Sequence, residues 1–414
     1  GMRYFSEFRI NWRALTAASL GLAVGYTFIN YVTNIFSPYL IRDLGWDKSD
    51  FALLGLIVLV AAVCQPVAGR LTDIVGVRRM ALVGAISAPL LFVMLSRMTG
   101  PFWQFYAINV LQVILVGGTT SAVVYTRLIA DRFDLARGVA LGIAACAPAM
   151  AGGLLAPAMA DLVDTVGWRN GYLCVAGFVA VAGLCAVALI PGEGTVPGSP
   201  AAARRAERAD YRALLRDRTF QLLIAGMLLC NLTLTLQMTQ LKIVLLDIGV
   251  GGAASSLMIS FYGFGVIAGR LLCGAALDRF PPKFVAAAAM SAPAIGLFML
   301  AAGTPNDALT GLAVAILGIA TGAEGDVGAY LVMRYFRPEI YGSVFGLVMG
   351  ALSVSGALGA LLLSYTLAVS GGNFRPFLVI AGIAAVAGSA LFLLLKTRPA
   401  AIQAAPNAEA ALLP

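Results

Sequence analysis

The stretch GRLTDIVGVRR, residues 69–79, decides how the rest of the chain is read. It closes a long apolar run with a glycine, an aspartate and a basic pair. A weaker copy, GAALDRFPPK at 274–283, closes a second such run. One offset of 205 residues sets Gly69 on Gly274, Asp73 on Asp278 and Arg78 on Lys283. The chain is therefore expected to be a duplication, with this stretch marking equivalent helix ends in two halves.

Further pairs keep nearly the same register. Ser87-Ala88-Pro89 answers Ser291-Ala292-Pro293, and VAGFVAVAG at 175–183 answers IAGIAAVAG at 380–388. Gly138 and Gly142 answer Gly342 and Gly346. The 414 residues are 60% hydrophobic and 12% charged, where soluble domains carry about a quarter charged residues. The apolar runs match the roughly 20 residues that cross a hydrocarbon core as helix, and their spacing is helical rather than alternating, which argues against a barrel. The expected fold is an all-α membrane protein of 12 transmembrane helices in two pseudo-symmetric six-helix halves. Residues 1–190 form the first half, 191–217 a Pro-, Gly- and Arg-rich linker, 218–396 the second half and 397–414 a disordered tail. Six-plus-six duplication is the pattern of transporters whose halves rock around a midplane site.

The net charge of +8 is a topology signal and not a nucleic-acid footprint. Arg42, Lys48, Arg97, Arg169, Lys242 and Arg375 fall on one set of connections, and the remaining basic residues fall on the opposite set. That bias places the richer side, with both termini, in the cytoplasm of an inner-membrane protein. Histidine is absent and the six cysteines lie in apolar runs without ligand spacing, so no metal or other cofactor is expected. No nucleophile–base set, phosphate loop or nucleotide motif is present, so the chain is not expected to be an enzyme. Its expected partners are a small substrate, protons and membrane lipid, with the protein acting as a monomer.

Polar side chains concentrate in spans one, four, seven and ten, and span eight adds Tyr262. Span one carries Tyr26, Asn30 and Asn34, four apart and so on one face. Span four carries Tyr125 and Arg127, span seven Gln237, span eight Tyr262, and span ten Glu324 and Asp326. Polar faces of this kind line a water-filled cavity. Spans three, six, nine and twelve are nearly free of polar side chains, as lipid-facing supports would be.

On these residues the chain resembles the major facilitator superfamily along nearly its whole length. GRLTDIVGVRR fits that family's loop signature, Gly-x-Leu-x-Asp-x-x-Gly-x-Arg-Arg. GRLLCGAALDRF at 269–280, Arg137-Gly138-x-Ala140-Leu141-Gly142 and Gly167-Trp168-Arg169 are similar to its monocarboxylate and oxalate–formate branch. The resemblance implies alternating access and, at Arg270, an arginine that contacts a substrate carboxylate. Pro148 followed by Gly152-Gly153 departs from the antiporter pattern. A lysine in span one and an aspartate one turn before the arginine, both expected of animal-type monocarboxylate carriers, are replaced by Tyr/Asn and by Val266.

Arg270 stands where the first half has Gln65. A guanidinium holds a carboxylate through two parallel hydrogen bonds and stays charged, which suits an anchor for an anion. The other reading is a gate residue satisfied by backbone carbonyls. Glu324 and Asp326 lie about 200° apart around a helix, so only one can face the cavity. A carboxylate deprived of water holds a proton more readily, as proton coupling requires. Pairing with Arg127 or Arg334 would make it structural instead. Arg127 is a secondary inward cation, alternatively paired with Asp131. Gly69, Asp73, Arg78, Arg79, Asp278 and Lys283 form the expected cytoplasmic gate, the aspartates binding loop arginines or a neighbouring helix N-terminus. The function expected is secondary transport of a small organic anion of monocarboxylate type, short or aromatic, with proton symport. The alternative is a proton-coupled exporter of amphiphiles.

Overall fold

The computed structural model describes residues 2–46, 54, 57–192, 211–234, 236–237, 241–303, 306–337 and 340–396. Most of the linker and the tail beyond 396 lie outside them. The described residues form helices and connecting turns, without strands. Among the described residues, a short N-terminal helix, Met2–Ile10, precedes eleven helices long and apolar enough to cross a membrane. These match the expected spans one to six and eight to twelve. Spans two and three are Ile57–Val75 and Val77–Ser96. Spans five and six share Arg137–Leu189, bent at Gly167, whose φ of 82° suits a residue without a side chain. Spans eight to twelve are Gly252–Arg279, Pro282–Ala302, Asp307–Tyr335, Tyr341–Ser370 and Arg375–Leu393.

Span seven, expected as one helix at the start of the second half, is divided. Its helix Arg218–Cys230 ends at Asn231 in a turn, and a short helix, Leu241–Ile248, follows. Span one divides in the same way, into Trp12–Ala23 and Tyr26–Leu44 around Val24 and Gly25. The 205 offset carries Gly25 onto Cys230, so the two breaks are equivalent. Span four is broken as well. Phe102–Leu111 passes into a π-helical stretch, Gln112–Gly117, then a turn, and resumes as Ala122–Arg132. Its counterpart, span ten, is continuous, and the same offset sets broken Gly117–Ser121 against helical Gly322–Asp326. The second half thus keeps an intact helix under the only two carboxylates of that span's interior.

Glycines set the helix crossings. A Cβ on Gly269 would overlap the Ile319 carbonyl oxygen, and one on Gly322 the Val266 carbonyl oxygen. Gly265 and Gly318 face span ten and span eight in the same way, so each helix offers two glycines four apart to the other. Spacing of this kind lets membrane helices touch backbone to backbone. Spans three and six pack together, as do nine and twelve, and show apolar side chains such as Leu90, Val181, Ile295 and Ile383 outward. An outward apolar face of this kind is suited to contact with lipid.

Candidate functional site

The two halves meet along two seams, span two against span eleven and span five against span eight. A Cβ on Gly69 would overlap the Gly342 carbonyl, and one on Gly138 would overlap the Gly274 carbonyl. Each seam is capped by the aspartate of the duplicated motif. Asp73 accepts from the Gly342 N–H at 3.0 Å, the Ser343 N–H at 2.7 Å and the Ser343 hydroxyl. Asp278 accepts from the Gly138 N–H at 2.6 Å and the Val139 N–H at 3.1 Å. A carboxylate satisfies the free N–H groups of a helix first turn and is favoured by the helix dipole. Each aspartate therefore caps the first turn of a helix in the opposite half.

The third partner differs between the copies. Arg127 donates to Asp73 and reaches Asp131 at 3.8 Å. Arg127 is thus held by the gate. On Asp278 the third donor is Tyr4, at 3.0 Å from the N-terminal helix. Burial, then the Asp278 hydrogen bond, push the Tyr4 phenol up to about 12, so it stays a neutral donor at physiological pH. Positions 4, 7, 8 and 11 share one helical face, and all four grip the body. Glu7 accepts from the Leu135 N–H at 3.0 Å and the Ala136 N–H at 2.8 Å. Phe8 meets Phe133 edge-on at 5.6 Å, and the Asn11 amide donates to the Arg132 carbonyl at 3.0 Å. The helix bridges the halves like a strap, with Glu7 on the first and Tyr4 on the second. Removing the Tyr4 hydroxyl should release one end. A hydrogen bond to a charged group contributes about 1.5 kcal/mol at the lower end, so Tyr4→Phe is expected to raise the open-to-closed ratio at this face roughly tenfold. Spin labels at Arg78 and Arg279 would read it as a longer distance, and an unchanged distance distribution would refute it.

Several expected gate residues stand apart. Arg78 and Arg79 are exposed, outside both seams, and Lys283 lies over the Phe284 ring at 5.1 Å. The helix N-termini and Arg127 satisfy the aspartates, so loop cations are not needed there. Tyr125 is also corrected. It is 1% exposed and fills the space left by Gly21, so it packs span four on span one, bordering a void of about 10 Å³ that is too small for a substrate. Tyr26 lies against Gly117 at the break in span four, and its backbone N–H donates to the Thr120 hydroxyl at 3.2 Å. Asn30 is exposed. The side chain of Asn34 lies outside the described residues.

In the middle of the second seam stands Arg270. Span five crosses it so closely that a Cβ on Gly142 would lie 2.7 Å from the Arg270 carbonyl oxygen. One guanidinium Nη1 donates to the Ala145 carbonyl, and the Nε is buried without a partner. The gate reading thus holds for one nitrogen and leaves another free. Asp326, 4% exposed, feels the Arg270 charge without an ion pair to it, and its Oδ2 is buried and unpartnered. Glu324, 7% exposed, faces elsewhere, within electrostatic range of Tyr262 and Cys230. The two carboxylates therefore occupy different sides of span ten, as their spacing requires. Beside Glu324, Gln237 accepts from the Tyr262 hydroxyl at 2.9 Å and from the Thr321 hydroxyl, and donates to the Thr233 hydroxyl at 2.7 Å. Thr321, about one turn before Glu324 on the same helix, is a member of this cluster that sequence reasoning missed. Its position three before Glu324 was the available signal. The arrangement couples one cation with an open bonding edge to two buried carboxylates and a row of hydroxyl and amide groups.

Comparison with known proteins agrees with this architecture. The Major Facilitator Superfamily profile matches residues 18–241 and 223–414. Human monocarboxylate transporter 11 is 26% identical over 390 residues, covering 88% of this chain and 80% of its own. The MFS-type transporter pynF of Aspergillus niger is 24% identical over 390 residues, covering 92% and 87%. Among solved structures, the proton:xylose symporter XylE superposes with a TM-score of 0.71 at 15% identity, covering 95% of this chain and 96% of that one. The fucose:proton symporter FucP of E. coli gives 0.70 at 13% identity, covering 93% and 98%. The family match, on this fold, makes the chain a multi-pass membrane transporter rather than an enzyme. The chain belongs to the Major Facilitator Superfamily.

Proposed function

We propose that the protein moves a small organic anion of monocarboxylate type, short or aromatic, across the cytoplasmic membrane together with a proton. The observation that carries this reading is the half-buried Arg270, whose Nε is buried and unpartnered, beside the unpaired Asp326 carboxyl. The name of the human relative, a monocarboxylate transporter, supports the choice of anion. With both termini in the cytoplasm, the closed seams lie on the cytoplasmic side and substrate enters from outside. A carboxylate taking the Nε edge of Arg270 competes with Asp326 for one cation, so binding the anion favours binding a proton, and the reverse. Neutralised in this way, the loaded site crosses the membrane interior with less charge to desolvate. The halves, residues 1–190 and 218–396, then rock about the site, and the caps on Asp73 and Asp278 break as the cytoplasmic seams part.

The test is counterflow in proteoliposomes against a panel of carboxylates, with and without an inward proton gradient. Monocarboxylates should exchange, and the gradient should drive their accumulation. Uptake indifferent to substrate charge would sink the reading in favour of amphiphile export. Asp326→Asn is expected to keep exchange within about threefold while abolishing gradient-driven accumulation, because a fixed neutral side chain mimics the loaded site. Gradient-driven accumulation that survives in Asp326→Asn but is lost in Glu324→Gln would move the proton to Glu324.

A further inference from the structure

A groove of about 590 Å³ runs along the outer surface between spans eight, nine and ten. Its existence follows from the glycine crossing. Spans eight and ten touch at Gly269 and Gly322, and helices that touch at one point diverge beyond it, leaving a wedge. The floor is alanine, at Ala276, Ala288 and Ala320 among others, so nothing from the protein fills the wedge. The rim is apolar and open. Leu272 is 63% exposed, Phe280 61% and Phe284 54%. From Gly269 to Phe280 the groove follows about 16 Å of helix, close to the about 15 Å of hydrocarbon in one leaflet. Next to the lining residues Phe280 and Phe284, at the expected cytoplasmic end, come Arg279, exposed, and Lys283, over the Phe284 ring. No acidic side chain lines it.

We propose that this groove binds an acyl chain of an anionic phospholipid, with the headgroup phosphate held by Arg279 and Lys283. Depth, apolar lining and a cationic mouth are what such a lipid offers the complement of. The charge at the mouth makes the choice among lipids, and a second groove on the same helix pair carries the opposite sign. That one, of about 700 Å³ at the opposite face, has Asp307 in its lining and no basic side chain. The 205 offset sharpens the point, because the first half has Val75 and Arg79 where the second has Phe280 and Phe284. The lipid site belongs to the second half. It lies behind the substrate helix, since its lining residues Gly269, Cys273 and Ala323 neighbour Arg270 and Glu324 in sequence.

Native mass spectrometry of the detergent-solubilised protein, with phosphatidylglycerol or phosphatidylethanolamine added, tests the assignment. Wild type should retain phosphatidylglycerol in preference. Each basic residue near an anionic headgroup is worth about a fivefold difference in binding, so Arg279→Gln with Lys283→Gln should reduce the preference more than tenfold. Ala288→Phe should remove the adduct by filling the groove. In unmodified protein, a phosphatidylglycerol carrying a photoreactive acyl chain should label peptides containing Leu272 or Phe284, which keeps the test independent of any variant's folding. Equal retention of the two lipids, an adduct that persists in Ala288→Phe, or labelling elsewhere would overturn the proposal. A dimer mass that vanishes in Ala288→Phe would also overturn it, by making a second copy the occupant.

Discussion

Monocarboxylate counterflow is expected to fall about a hundredfold or more in Arg270→Gln, with the protein still folded and monodisperse. The Arg270 Nη1 is engaged with the Ala145 carbonyl, but its Nε has no acceptor. A carboxylate that takes this edge gains charge-assisted hydrogen bonds in a site shielded from water. Removing one partner of such a pair costs about 2–5 kcal/mol, and about 1.4 kcal/mol is tenfold. Folding should survive, because a glutamine amide still occupies the position and the Ala145 carbonyl loses a single bond. Arg270→Lys separates charge from shape. An ammonium keeps the charge but cannot present two parallel N–H groups, so an intermediate loss of about tenfold is expected. Counterflow in Arg270→Gln within threefold of wild type would remove Arg270 as the anchor and leave it as a seam residue.

The duplicated motif made both aspartates visible in the sequence, and the glycine pairs Gly138/Gly342 and Gly142/Gly346 were visible as repeats. That each aspartate caps the helix opened by the other half's glycine was not legible. It is a contact across more than a hundred residues with no local signature. The same limit explains Arg127, whose partner one turn on, Asp131, could be read from helical spacing while the closer one, Asp73, could not. Tyr125 was misread because a polar residue on a helix was taken to face water. The hole it fills is made by Gly21, on another helix. The divided span seven carried a warning in its run of Asn231, Thr233 and Gln237, since polar residues at the membrane midplane tolerate broken backbone only where it lines protein or a cavity. The strap was legible too. Tyr4, Glu7, Phe8 and Asn11 have the spacing of a buried helical face, but a stretch of nine residues before the first span is easily set aside as a tail.

Two glycine substitutions should separate folding from conformational switching. Gly322 packs span ten on span eight, both in the second half, and a Cβ there would overlap the Val266 carbonyl. Those helices stay together however the halves move, so the penalty for Gly322→Ala is present in every state. Overpacking costs about 1–3 kcal/mol, and a fall in Tm of about 5 °C is expected. Gly69 also meets a carbonyl, that of Gly342, but across the seam between halves. Its methyl group would be penalised only while that seam is shut. Gly69→Ala is therefore expected to leave Tm near the wild-type value and to shift the open-to-closed ratio by about 5- to 150-fold. Labels at Arg78 and Arg279 would report this as a second, longer distance. Displacing the Gly342 turn also strains the cap on Asp73, which pushes in the same direction. Equal losses of Tm in the two variants, with no change in distance, would mean that the span-two seam is part of the permanent core, and the rocking of the halves would have to be placed elsewhere.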